Sequence, residues 1–120
     1  MIILVCGDRN WTDQETIKSV LDSLTAPGDV VIHGACRGAD RLAGQAATAL
    51  DLTVREYPAQ WDTHGRAAGP IRNQQMLDLE HPDLVLAFHD RLTESKGTRD
   101  MIQRSRRAGI TVRWFRHKGL

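Results

Sequence analysis

Four short segments hold most of the residues whose types suit chemistry: "CGDRNWTD" from Cys6, "HGACRGAD" from His33, "YPAQWDTHGRAAGPIRN" from Tyr57 and "HDRLTESKGTRD" from His89. Each sets glycine near arginine and a carboxylate. That combination fits a phosphorylated ligand. Glycine lets backbone N–H groups approach an anion, a helix N-terminus adds unpaired N–H groups, and arginine grips phosphate through two parallel hydrogen bonds. Gly34, Gly38, Gly69 and Gly97 each precede or open a helical pattern, and Thr98 adds a hydroxyl. Arg9, Arg37, Arg66 and Arg72 supply guanidinium groups. No segment reads as a Walker A loop or as G-x-G-x-x-G. Singly, each of these glycines reads as a turn residue.

The other reactive types leave alternatives open. Asp40 falls in the first turn of a helical pattern, where a carboxylate complements the dipole or bonds a ribose or the loop. Asp8 and Glu94 suit general bases or partners for arginine. Trp11 and Trp61 lie in loops and are available to stack on a base, whereas Trp114, inside a strand pattern, is expected to pack in the core. Cys6, His33, Cys36 and His89 converge on one edge, and His33-x-x-Cys36 has a possible ligand spacing. Cysteine and histidine also end buried strands as packing residues, so no metal and no cofactor are expected.

Those residues need a scaffold. Five apolar runs, 2–6, 29–33, 53–57, 84–88 and 110–115, alternate with four helical patterns. The first, second and fourth are nearly continuous in apolar residues, as strands covered on both faces require. The third and fifth carry Arg55 and Arg113, which suits positions nearer a sheet edge. Thr12 and Glu15 predict a capping box ahead of Ile17, Val20, Leu21 and Leu24. An alanine-rich stripe predicts a second helix lying close to the sheet, a third is expected to begin at Pro70 and run to about Glu80, and a fourth to span 97–108. Strand–helix alternation with short connections predicts a three-layer α/β domain around a parallel sheet. Ligands of such sheets bind beyond the C-terminal ends of the strands. All four chemistry-bearing segments arrive at that edge, and "TAPGD", "LDLT", "LEHPD" and "RRAGI", ordinary turns, arrive at the other.

With 120 residues the chain suits one domain spanning 1–120. A net charge of +1 argues against a general polyanion binder, although Arg99 to Lys118 contains seven Lys or Arg against one acid, Asp100. No apolar run approaches the roughly 20 residues of a membrane span. Two cysteines do not make a disulfide framework. A strand starting at Ile2 leaves no room for a signal peptide, so a cytoplasmic protein with no membrane partner is expected.

"GDRNWTD", "HGACRGADRLAGQAA", "YPAQWDTHGRAAGPIRNQQML" and "PDLVLAFHDRLTESKGT", in that order, resemble the YspA-like branch of the SLOG superfamily. That superfamily groups Rossmann-like proteins related to the DNA-processing protein DprA and the LOG enzymes. The resemblance covers nearly the whole chain. It implies a five-stranded parallel sheet in the order 3-2-1-4-5 and a nucleotide-derived ligand at the C-terminal edge. The implied contacts are Gly7, Asp8, Arg9, Trp11, Gly34, Arg37, Gly38, Asp40, Trp61, Gly69, Arg72, Asn73, Lys96, Gly97 and Thr98.

LOG enzymes cleave the N-glycosidic bond of a nucleoside monophosphate and carry an arginine followed by P-G-G-x-G-T-x-x-E. Arg72 and Gly97-Thr98 match that pattern. Thr93, Glu94 and Ser95 replace P-G-G, and Met101 replaces the glutamate. Methionine neither stabilises an oxocarbenium-like state nor activates water. A sensor or carrier of a nucleotide-derived small molecule is therefore expected first. The alternative is cleavage, with Arg72 and Glu94 as catalytic candidates. A third reading, single-stranded nucleic acid on the basic C-terminal segment, has few aromatic residues to support it. A homodimer is compatible with the resemblance, although no apolar stripe left over in the sequence demands one.

Overall fold

The computed structural model describes residues 1–118. Its five strands are β1 (Ile2–Gly7), β2 (Val30–His33), β3 (Thr53–Glu56), β4 (Leu84–Phe88) and β5 (Thr111–Phe115). All pair in parallel, in the order β3-β2-β1-β4-β5. Ile3 lies opposite Val31 on one side and Leu84 on the other. The arrangement is the Rossmann-like α/β fold expected from the alternation and the resemblance.

Side-chain alternation along the strands builds two cores. Ile3, Val5, Val31, Leu84, Leu86 and Phe88 face α1 (Gln14–Leu24) and α2 (Ala39–Ala49). Leu4, Ile32 and Val85 face α4 (Ala68–Glu80) and α5 (Lys96–Arg107) through Met76, Leu77 and Met101. Each fully buried Leu or Ile contributes on the order of 2 kcal/mol. In α2 the buried stripe is Ala39, Ala43, Ala46 and Ala47, side chains small enough to bring that helix close to the strands. Strands β3 and β5 lie at the sheet edges and are largely exposed, as their charged residues predict.

Several boundaries differ from the sequence reading. Asp13, rather than Thr12, caps α1: its carboxylate accepts the Thr16 N–H. Helix α4 starts two residues before Pro70, and α5 starts at Lys96 with Ser95 as its cap. The connection after β3 contains a one-turn helix, α3 (Trp61–His64), and a 3-10 turn at Gly65–Ala67, too short to leave a periodic signal. Trp114 is not a core residue. It is 50% exposed on edge strand β5, and its indole N–H donates to the His89 carbonyl.

An ionic cluster ties edge strand β3 to the end of α4. Glu80 accepts two hydrogen bonds from Arg55, both at 2.8 Å, and one from the Tyr57 hydroxyl at 2.6 Å. The Arg55 guanidinium holds the Glu80 carboxyl below its ordinary range. Among the described residues no helix is long and apolar enough to cross a membrane.

Candidate functional site

The strands deliver their last residues to one edge, and a cleft of about 330 Å³ opens there between the loops after β1, β2 and β4. Gly7, at the end of β1, is required by close packing. A Cβ there would sit 2.3 Å from the Phe88 carbonyl oxygen and 2.8 Å from Ala39 Cβ. Gly38 has φ +76°, and a Cβ would meet the Asp8 carbonyl oxygen at 2.4 Å. At Gly34 a Cβ would overlap the Arg72 guanidinium. These three glycines make room for protein atoms. Gly97 differs, because a Cβ there would meet nothing within 4 Å.

Four amides of the "HGACRGAD" loop are likewise engaged within the protein. Asp40 Oδ2 accepts from Gly34 N at 3.0 Å and Cys36 N at 3.3 Å. The Ala35 N–H donates to His33 Nδ1, and the Ala39 N–H to the Asp8 carbonyl. Asp40 is 6% exposed, and burial pushes its carboxyl up to about 6 against the opposing pull of the Cys36 and Gly34 amides and of Arg72. Burial and the Asp40 charge also push the Cys6 thiol well above its ordinary value.

Arg72 rises from α4 into the cleft floor. It is 9% exposed and has no carboxylate oxygen within 4.0 Å among the described residues. Nη1 donates to the Gly34 carbonyl at 2.7 Å and the Tyr57 carbonyl at 3.3 Å, and Nε donates to Asn73 Oδ1 at 3.0 Å. Nη2 has only the Cys36 sulfur, at 4.0 Å. Asn73 is a positioning residue: it fixes Arg72 and donates to Asp100.

Opposite stands the N-terminus of α5. Ser95 Oγ takes the Thr98 N–H, which leaves the first-turn N–H groups of Lys96 and Gly97 without helical partners. The Lys96 side chain, exposed, and the buried Thr98 also line this wall. Glu94 lies on the rim, exposed and 3.5 Å from Arg91. A second lobe of about 370 Å³ shares Arg9, Arg37 and Arg72 with the first and ends at Pro58, Ala59 and Trp61. Trp61 is 49% exposed, with the Arg9 guanidinium 6.0 Å from its ring centre.

The two lobes bring together Gly7, Asp8, Arg9, Gly34, Arg37, Asp40, Trp61, Arg72, Glu94, Lys96, Gly97 and Thr98 from the sequence reading. Others fall outside. Trp11 is 2% exposed, edge-on to Phe88 at 5.6 Å and stacked on His117 at 3.8 Å, so neither face is open to a base. Gly69 packs α4 against Trp61, Arg66 is exposed in the 3-10 turn, and Gly38 supports the loop from behind. Conversely, Asn10 lines the cleft and carried no sequence signal, and Ser95, read only as part of the replaced P-G-G, lines it too. Cys36 and His89 also line it, and the sequence had marked them only as possible metal ligands. His33 Nδ1 and His89 Nδ1 each accept a backbone N–H. Among the described residues no three His, Cys, Asp or Glu side chains gather as a metal set.

Fold and site define a class: a Rossmann-like domain with a cationic cleft at the C-terminal edge of its sheet. The model of the YspA, cpYpsA-related SLOG family matches residues 1–64, which run from β1 through α3. The chain is also 36% identical, over 118 aligned positions and 92% of each chain, to the Gene 61 protein of Mycobacterium phage D29. This chain belongs to the YspA, cpYpsA-related SLOG family.

Proposed function

We propose that the cleft binds a phosphorylated, nucleotide-derived small molecule and that the protein acts as its sensor or carrier. The observation that carries this reading is Arg72, a buried cleft-lining guanidinium with no carboxylate in contact and one arm, Nη2, whose sole partner among the described residues is the Cys36 sulfur at 4.0 Å. A buried cation is costly unless paired, and a phosphate oxygen supplies the missing partner. Lys96 and the α5 N-terminus stand ready for the same anion from the opposite wall. Trp61, half exposed with the Arg9 guanidinium over its ring, gives the second lobe an aromatic surface and a cation that suit a nucleobase. Met101, at the position of the LOG glutamate, is 1% exposed in the core beneath α5, which favours binding over cleavage.

The test is mass spectrometry of small molecules released from the purified, denatured protein, together with thermal shifts against a nucleotide panel. Wild type, Arg72→Ala and Lys96→Ala are compared. A nucleotide that stabilises wild type and loses affinity about 10- to 100-fold in each variant supports the site, since one charge-assisted hydrogen bond contributes about 1.5–3 kcal/mol. Equal stabilisation of all three proteins contradicts it. Free base released during incubation replaces the sensor reading with the cleavage reading.

A further inference from the structure

Arg72 and Asp40 hold the same two residues, Gly34 and Cys36. Arg72 Nη1 takes the Gly34 carbonyl and Nη2 approaches the Cys36 sulfur, while Asp40 Oδ2 takes the Gly34 and Cys36 amides. The two side chains remain more than 4.0 Å apart, forming no ion pair, yet both line the cleft. Both amides fall on Oδ2, leaving Oδ1 without a backbone donor among the described residues. Without forming an ion pair, Arg72 still attracts the Asp40 carboxylate.

We propose that an anion entering the cleft replaces Asp40 as the countercharge of Arg72, and that Asp40 takes up one solvent proton at Oδ1 and donates it as a hydrogen bond to the anion. The inference rests on the function proposed above and gives that site its regulation. Two negative groups beside one buried cation repel each other, so protonation of the carboxyl relieves the conflict. Burial already holds the carboxyl near 6, so a small additional charge carries it across neutral pH. Ligand affinity is then constant below about pH 6, falls up to tenfold per pH unit above it, and levels off beyond the pKa of the bound state.

The other groups around Asp40 bear on this assignment. Cys6, from β1, stays a neutral thiol because burial and Asp40 both disfavour its charge. Cys36, Arg37, Asp8 and Arg9 line the adjoining loops, and His89, Glu94 and Lys96 the facing one. On that facing loop His89 Nδ1 accepts the Arg91 N–H.

Calorimetric titration with AMP, ADP and inorganic pyrophosphate, in two buffers of different protonation enthalpy, counts the protons taken up. Wild type and Asp40→Asn are compared at pH 5.5 and 7.5. The asparagine keeps an oxygen for both amides and an N–H for the anion, and the ligand's own titration cancels in the difference. Wild type is expected to take up close to one proton more than the variant at pH 7.5, and the variant to bind with a flatter pH profile. Equal proton counts with binding intact overturn this inference and leave the proposed function standing. Failure of all three probes to bind at either pH overturns both. Should the variant not fold, carboxyl carbon NMR of wild type reads Asp40 directly. Its pKa is expected to rise on adding the probe that binds, and an unchanged pKa overturns the inference.

Discussion

Arginine at position 72 does two jobs whose consequences are separable. Nη1 and Nε brace the Gly34 and Tyr57 carbonyls and Asn73, and Nη2 faces the cleft. Removing the side chain is therefore expected to lower stability as well as affinity for the proposed ligand, whereas replacing exposed Lys96 is expected to lower that affinity alone. The tryptophans divide in the same way. Trp11→Ala is expected to cost about 3–4 kcal/mol of stability, because it empties a buried site between Phe88 and His117. Trp61→Ala is expected to leave the urea midpoint nearly unchanged and to weaken nucleotide binding severalfold. Chemical denaturation and a binding titration on the two variants check the division; a Trp61 variant that unfolds early but binds normally refutes it.

Elements supply the constraints that individual residues exploit. The β1–β4–α2 junction closes on Gly7, so Gly7→Ala is expected to destabilise by about 2–3 kcal/mol, the intruding Cβ meeting rigid backbone at Phe88. At the other end of that loop Asp13 caps α1 and also accepts the Lys118 N–H. The Thr16 hydroxyl and the Lys118 amide hold its carboxyl at about 2. A carboxyl lowered on folding stabilises fully above its unfolded value near 3.8 and loses that contribution as pH falls toward 2. Asp13→Asn, which keeps a capping oxygen but loses the charge, is thus expected to be less stable than wild type at pH 6 by up to about 1 kcal/mol, with the gap closing below pH 3. Urea unfolding at the two pH values measures it.

The same elements explain what could be read without a structure. Continuous apolar runs at β1, β2 and β4 announce strands covered on both faces, and Arg55 and Arg113 announce edges, because burial leaves that pattern directly in residue type. The one-turn α3 does not, since a single turn has no period to detect. Nor does the choice of Asp13 over Thr12 as cap, two neighbours of equal aptitude separated only by backbone geometry.

Across the whole molecule, the sheet's polarity gathers distant chemistry at one edge. Residues from the β1 loop, the β2 loop, α4 and the start of α5 meet there although some 90 positions of chain separate Asp8 from Thr98. The edge was legible from the sequence because three of the four loop segments placed there are unusual in their glycine, arginine and aspartate content. The partition of labour within the edge was not. Gly34 and Gly38 make room for Arg72 and Asp8, and the Gly34 and Cys36 amides go to Asp40, while Arg72, Lys96 and the α5 N-terminus line the cleft with donors. That division depends on contacts between residues such as Gly34 and Arg72, 38 positions apart, which no local pattern encodes.

A backbone amide correlation spectrum recorded during titration with ADP tests the central claim most directly. Shift changes concentrated at residues 7–10, 34–37 and 95–98 are the predicted result. No change, or change confined to the arginine-rich outer surface of α5 and β5, would contradict a nucleotide site in the cleft.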